Sequence, residues 1–469
     1  MATPALSVSS PQADGQATAA RPGAERGILI TVALSTTLAP LNSTMIATAL
    51  PEIMRSFRAD LGTAGWLITS YLVTMAALQP VAGKLGDRLG RRPLLLGGLV
   101  YFALASLGAA LAPNLPVLLL CRFQQAVAGA IALPNGSALI REVLPAERRA
   151  GGYGMVGAIV SLAAAAGPPL GGLLVSTAGW QAIFWVNVPV VLAALLAGWR
   201  TLPSVPPRAK TSSFDGLGAV LMFAIVAGLA LLLRQSGAGL SSTWLVGAAV
   251  LIGALVVFGW QEVRHPDPVF RPRFFRHPAF ASASAAVALS NLAMYTTLLA
   301  LPIILAQDEV WPAARIGLVL TALSATNVVA GPLGGRLADR YGRRWPAVAG
   351  LTLLTLGLIP LAVESGILPV PELVGALGVA GIGLGLSSAG MQTAAVEAVS
   401  PRDAGAASGI YSTCRYLGSI AGASLLPGLL SGTSGSPMPA GVHAVFVLVV
   451  LAAALAAASS LGLRTSTPS

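Results

Sequence analysis

Charge is scarce in this chain. Only 10% of its 469 residues are Asp, Glu, Lys or Arg, against 55% hydrophobic residues, and the mean hydropathy is +0.78. A water-soluble domain of this length needs a charged surface that so few residues cannot supply. Cysteine is nearly missing too. Cys121 and Cys414 lie far apart in separate apolar runs, so no disulfide framework is implied. No Gly-x-x-x-x-Gly-Lys-Ser/Thr loop occurs, which excludes an ATP-driven pump. The 17 acids avoid the middle of every apolar run: Asp215, Glu262 and Glu397 fall near run ends on one side, Glu52 and Glu364 near ends on the other. The net charge of +11 would suit a nucleic-acid binder only if Lys and Arg clustered on a polar face, whereas here they sit in short segments between apolar runs. No nucleic-acid partner is expected, and no cofactor.

What is present is hydrophobic length. About 20 mostly apolar residues cross a bilayer as a helix, because in lipid the backbone must satisfy its own hydrogen bonds. Fourteen such spans are expected, near residues 27–51, 62–82, 93–112, 115–139, 151–175, 182–200, 215–234, 243–262, 281–305, 314–338, 345–364, 371–397, 404–430 and 440–463. Residues 1–26, rich in Ala, Pro, Ser, Gln and Gly, read as a disordered tail. With that tail in the cytoplasm, 22 of the 28 Lys and Arg residues fall in cytoplasmic segments, four fall outside (Arg55, Arg58, Arg234, Arg315), and Arg122 and Arg415 lie within spans. Such a bias places both termini inside and favours an even number of crossings.

One basic segment recurs. Gly83-Lys-Leu-Gly-Asp-Arg-Leu-Gly-Arg-Arg92 returns as Gly335-Arg-Leu-Ala-Asp-Arg-Tyr-Gly-Arg-Arg344, 252 positions on. Each copy is expected to form a short charged loop between two spans. Ala49-Leu-Pro51 likewise returns as Ala300-Leu-Pro302, and Glu142 has a counterpart in Glu397. Spans 1–6 thus align with spans 9–14 and leave spans 7 and 8 as an inserted pair, the duplicated construction of many secondary transporters. The repeated segment resembles the signature loop of the major facilitator superfamily. Fourteen spans with an inserted pair resemble its drug:proton antiporter branch.

That resemblance implies an all-α integral membrane protein of the major facilitator fold. Its expected parts are an N-terminal six-helix bundle (27–200), linkers with the inserted pair (201–280), a C-terminal bundle (281–463) and a short cytoplasmic tail (464–469). Gly83 and Gly90 permit the turn, while Asp87, Arg91, Arg92 and Glu142 are expected to act as a gate, with Gly335, Asp339, Gly342, Arg343 and Glu397 repeating it; the resemblance implies that these contacts lock the bundles outward-open. Arg88 and Arg340 read as topology anchors. Residues 268–280, with four Phe and three Arg, are expected to lie as an amphipathic stretch among lipid headgroups.

Three spans carry further motifs. In span 4, Arg122 and Gln125 resemble the family's Arg-x-x-Gln-Gly motif, with Ala126 in place of Gly. An arginine inside a span is expensive, so two readings stand: a cavity-facing functional cation, or a hydrogen-bond hub tying span 4 to span 1. Arg415 follows the same logic, or snorkels toward the near face. In span 5, Gly167-Pro168-Pro-Leu-Gly171-Gly172 resembles the antiporter motif, and Gly418 and Gly422 repeat its spacing in span 13. Trp180 to Pro189 also resembles that branch, with Trp180 and Trp185 suited to a membrane interface. Span 1 departs from it. Where the branch shows Leu-Asp-x-Thr, this chain reads Leu41-Asn42-Ser43-Thr44, and asparagine does not titrate.

Candidate cavity or coupling residues are Asn42, Thr44, Gln79, Arg122, Gln125, Asn291, Tyr295, Asn327, Gln392 and Arg415. A cavity with arginines and no acid suits neutral or anionic compounds better than cations. The resemblance implies a monomeric, non-enzymatic multidrug or antibiotic exporter in a bacterial plasma membrane, exchanging a small-molecule substrate for protons. The missing span 1 acid keeps open a proton-independent facilitator or a metabolite importer, and a membrane sensor is a further alternative.

Overall fold

In a computed structural model, residues 22–203, 215–235, 241–266, 268–307, 311–364, 368–400, 403–431 and 439–463 are described; of the expected tail at 1–26, residues 1–21 lie outside them and residues 22–26 are instead the first turns of a helix, and the expected tail at 464–469 lies outside them. All regular structure among them is helical: α1 (Pro22–Phe57), α2 (Leu61–Leu89), α3 (Arg91–Ala110), α4 (Leu115–Val143), α5 (Ala146–Ala178), α6 (Ala182–Trp185), α7 (Asn187–Thr201), α8 (Gly216–Gln235), α9 (Ser242–Arg264), a 3-10 turn (Pro272–Arg276), α10 (Pro278–Leu305), α11 (Ala313–Tyr341), α12 (Arg344–Val363), α13 (Val370–Glu397), α14 (Ala404–Ser431) and α15 (Pro439–Ser460). Thirteen crossings are long and apolar enough to span a bilayer, with α6 and α7 forming one of them. α14, expected as a span, is long enough but is not among these thirteen, its apolar character being diluted by Ser412, Thr413, Arg415 and Tyr416.

The helices overrun the apolar segments, because leaving the hydrocarbon does not itself stop a helix. The signature segment is therefore not the loop its charge pattern suggested. Gly83 to Leu89 is the last part of α2, the break is Gly90 at φ 92°, and α3 resumes at Arg91. The second copy breaks in the same way at Gly342, φ 81°. These left-handed conformations are where glycine is needed. Elsewhere side chains start the helices: Asp60, Asn114 and Ser241 each accept a backbone N–H in the first turn of α2, α4 and α9.

Packing repeats between the halves. In the first, α1 packs on α5 and α7, while α2 and α3 pack on α4; in the second, α10 packs on α14 and α15, while α11 and α12 pack on α13. The halves meet along α5 with α11, α2 with α14, and α1 with α10. α8 lies in the seam against both α2 and α14, and α9 packs outside it.

Two aromatic details differ from expectation. Trp180 is buried against Phe57 and Phe184, with ring centroids 5.3 and 6.1 Å away, and only Trp185 is exposed. Residues 268–280 are held by protein as well as facing outward: Phe274 is buried, and Arg271 and Arg273 pair with Asp403.

Candidate functional site

Among the described residues, Arg122 is the most buried charge, with no exposed surface. Its guanidinium donates to Asn42 of α1, to the Leu67 carbonyl of α2 at 3.2 Å and to Gln125 at 3.0 Å, and it lies 4.4 Å from the Tyr71 ring centroid. Gln125 passes the network to Ser106 of α3 (2.7 Å), which Asn187 of α7 also approaches (3.4 Å). Asn42, Arg122 and Gln125 have no exposed surface. They join the helices of one half and do not line open space. Arginine suits such a node because its planar fork serves several acceptors at once.

The seam between the halves has different chemistry. Gln79 of α2 donates to the Tyr416 hydroxyl of α14 at 3.1 Å, and Tyr295 of α10 meets the Ser43 hydroxyl of α1 at 3.3 Å. Arg415 is half-buried beside the Tyr416 ring at 5.6 Å, and Tyr71, Tyr295 and Tyr416 lie within electrostatic range of one another. This is an aromatic, hydroxyl-bearing centre with one cation. Tyr71, Ser43 and Tyr416 were not among the residues singled out from sequence, since a tyrosine in an apolar run carries no sign of which face it occupies.

Other expected cavity residues sit elsewhere. Thr44 bonds back to the Pro40 carbonyl at 3.0 Å and packs on Gly167, while Asn291 bonds back to the Val287 carbonyl at 2.9 Å. Asn327 is half-buried on α11, and Gln392 is exposed on α13.

The glycine motif of α5 serves two partners. A side chain on Gly167 or Gly171 would strike Thr44 or Thr48 of α1, at 1.8 and 2.5 Å, so these glycines let α5 seat on α1 within its own half. Gly418 and Gly422 do the same for α14 on α10, against the Ala288 carbonyl and Thr296. Gly172 faces the other half instead: its Cβ would lie 2.4 Å from the Ala313 carbonyl, and a Cβ on Gly317 would lie 2.4 Å from the Pro168 carbonyl. There the halves touch backbone to backbone. Toward the opposite end the same helices lose such neighbours, for Gly151 and Gly157 of α5, Gly331 of α11, and Gly405 and Gly409 of α14 have nothing within 4 Å. The seam is shut at the face away from the signature segments.

Each signature segment builds a triad inside its own half. Arg91 pairs with Asp87 and, at 2.8 Å, with Glu142 of α4; Arg343 pairs with Asp339 at 2.5 Å and Glu397 of α13 at 3.0 Å. Among the described residues, the ion pairs of each triad stay within one half. Hydrogen bonding to Glu397, and then to Asp339, raises the Arg343 pKa above the ordinary arginine value and keeps it charged. A Cβ on Gly83 would lie 3.5 Å from Pro134 and one on Gly335 3.8 Å from Ala389, and Arg92 donates to the Trp199 carbonyl at 2.9 Å. Arg88 is exposed, as is Arg340, which sits by the Tyr341 ring.

The copies differ in burial, and that predicts an asymmetry. Arg91 is 7% exposed and Glu142 14%, whereas Asp339 and Glu397 are 75% and 55% exposed. Arg91→Ala should cost about 1–3 kcal/mol by removing a charged donor from the largely buried Glu142, and Arg343→Ala about 0–1 kcal/mol because water screens its acids. Thermal unfolding in detergent checks this, and equal losses would contradict it.

The family model of the Major Facilitator Superfamily matches residues 32–285 and 283–468. The chain is 33% identical to the multidrug resistance protein Stp of Mycobacterium tuberculosis over 86% of this chain and 75% of that one. It is 30% identical to the tetracenomycin C resistance and export protein of Streptomyces glaucescens, over 88% and 77%. Its fold matches a bacterial homologue of the human lysosomal transporter Spinster, solved inward-facing and unoccupied, with a TM-score of 0.68 at 17% identity, over 94% of this chain and 98% of that one. Two helical halves with matching packing, a glycine-lined seam and a signature segment in each belong together with these likenesses: the chain is a member of the Major Facilitator Superfamily, and a transporter.

Proposed function

We propose that this transporter exports small amphipathic compounds of the drug or antibiotic type from a bacterial cell, in exchange for protons. Residues 27–200 and 281–463 act as the two rocking bundles, and the protein works as a monomer in the plasma membrane. The carrying observation is the seam itself, closed backbone to backbone by Gly172 and Gly317 at one face and without such contacts at Gly151, Gly157, Gly331, Gly405 and Gly409 toward the signature segments, around a centre of Ser43, Tyr71, Gln79, Tyr295, Arg415 and Tyr416. The bias of Lys and Arg puts the signature segments, and both termini, in the cytoplasm, so this conformation is inward-open. Export is supported by the glycine motif at the closing contact and by the names of the relatives. Tyrosine rings offer stacking and hydroxyl contacts, and Arg415 offers a cation, so neutral or anionic aromatic compounds fit the centre.

Everted membrane vesicles test the reading. Interior-acid vesicles carrying the protein should accumulate a fluorescent aromatic substrate against its gradient and lose it when a protonophore is added. Downhill flux indifferent to the protonophore would overturn the exchange and establish the facilitator, the reading that Asn42 favours.

A further inference from the structure

The inserted pair α8 and α9 takes no part in the seam chemistry above, yet it holds an unusual feature. α9 lies almost wholly against the outside, with long apolar side chains such as Val246, Val250, Ile252, Val256 and Val263 exposed, and its one buried residue is Glu262. Exposed valines suit a helix that faces lipid hydrocarbon, whereas a carboxylate as its one buried residue calls for a partner. Facing it is Asp215, just before α8. Both acids are only 2% exposed.

Half of each carboxylate is accounted for. Asp215 Oδ1 accepts the Gly218 N–H at 2.8 Å and the Gln261 amide at 3.3 Å, and Glu262 Oε2 accepts the Phe270 N–H at 2.9 Å. The other two oxygens, Asp215 Oδ2 and Glu262 Oε1, are buried without a hydrogen-bond partner. They converge on one point, for a Cβ on Gly218 would lie 2.2 Å from the first and 2.7 Å from the second. The absence of a side chain at Gly218 is what lets the two oxygens approach. Lys84 of α2, the second residue of the signature segment, is the cation within electrostatic range of Glu262. The nearby Arg271 and Arg273 are engaged with Asp403, and Arg264 lies over the Trp260 ring.

Two ionised carboxylates facing each other away from water repel, and neither lone oxygen has a donor. A single proton between them turns the repulsion into an O–H···O bond and satisfies both at once. We propose that Asp215 and Glu262 form a proton-binding site, one proton being held between Asp215 Oδ2 and Glu262 Oε1 at the signature-segment end of the inserted pair. Gain or loss of that proton changes the charge that faces Lys84, so the occupancy of the pair acts on the end of α2. The site stands whatever the substrate or the direction of its transport; its use in exchange rests on the export reading.

Infrared difference spectroscopy of the purified full chain, titrated from acid to alkaline pH, reads the proton directly. The wild type should show the carbonyl stretch of a protonated carboxyl group that disappears at alkaline pH. Glu262→Gln and Asp215→Asn should each remove it, and Gly218→Ala should displace its titration by forcing the oxygens apart. If one amide variant fails to fold, the other and Gly218→Ala still carry the assignment. No titrating carboxyl band in the wild type, or a band unchanged in the folded variants, overturns the proposal. So does a titration moved by replacing choline with sodium, which would mark a metal-cation site. None of these readouts uses transport, so their failure is distinct from failure of the export reading.

Discussion

Leucine at Gly172 is expected to abolish transport in a chain that still folds. At this position even a Cβ would lie 2.4 Å from the Ala313 carbonyl and 3.2 Å from the Ala314 Cα, atoms of the opposite half that cannot rotate aside as a side chain tip would. The clash is met only where the halves are shut at this face, so the substitution penalises that conformation and spares the one in which they part. A bias of about 3 kcal/mol between two states shifts their ratio by roughly a hundredfold. Transport should fall at least about tenfold, because a carrier held in one conformation cannot complete its cycle. Gly317→Leu should behave alike, since it meets the Pro168 carbonyl from the other side, whereas Gly253→Leu on α9, with open space around it, should be silent. Spin-label distances between the ends of α5 and α11 would report the parting directly. Wild-type transport by both Gly172→Leu and Gly317→Leu would mean that this face need not close.

The second large effect concerns the Arg122 hub. Arg122→Met keeps much of the length and removes the donors, leaving the Asn42 and Gln125 oxygens and the Leu67 carbonyl buried without the bonds they now accept. Each stranded group costs about 1–3 kcal/mol, a large fraction of the roughly 5–15 kcal/mol that separates folded from unfolded domains. The variant is expected to lose many degrees of thermal stability, and with it transport. Arg122→Lys should rescue little, because an ammonium lacks the planar fork that reaches acceptors on α1, α2 and α4. The companion variant is Asn42→Asp. It sets a carboxylate against the guanidinium, a stronger bond than the amide makes, and supplies the span 1 acid of the resembling branch. It should unfold at a higher temperature than the wild type and alter the pH dependence of export. An unchanged pH profile would show that a titratable group at this position is irrelevant to coupling here.

Much of this architecture could be read from order along the chain. Fourteen apolar runs, the return of Gly83–Arg92 at Gly335–Arg344, and the one-sided Lys and Arg residues suffice for two related halves with an extra pair between them, since bilayer thickness and backbone hydrogen bonding leave few alternatives. The helix breaks were less legible. Charge marks where a chain leaves the membrane, but Gly90 and Gly342 mark where its helix stops, and the two differ by several residues. Among the site residues, Arg122 stood out by being a charge in an apolar run, while Tyr71 and Tyr416 did not, because a tyrosine there is unremarkable until its neighbours are known.

Sequence alone thus settled the kind of protein this is, for span length, repeat and charge bias are properties of neighbouring residues and of composition. Three-dimensional packing decided what each residue meets. Gly171 and Gly172 are adjacent in the chain and alike in chemistry, yet one seats α5 on α1 and the other meets the opposite half, because successive residues of a helix point about 100° apart. Asp215 and Glu262 are 46 positions apart, at the ends of two separate apolar runs, and nothing in the order of residues says that their free oxygens converge over Gly218. That convergence follows only from the antiparallel return of α9 along α8, which brings the two ends together.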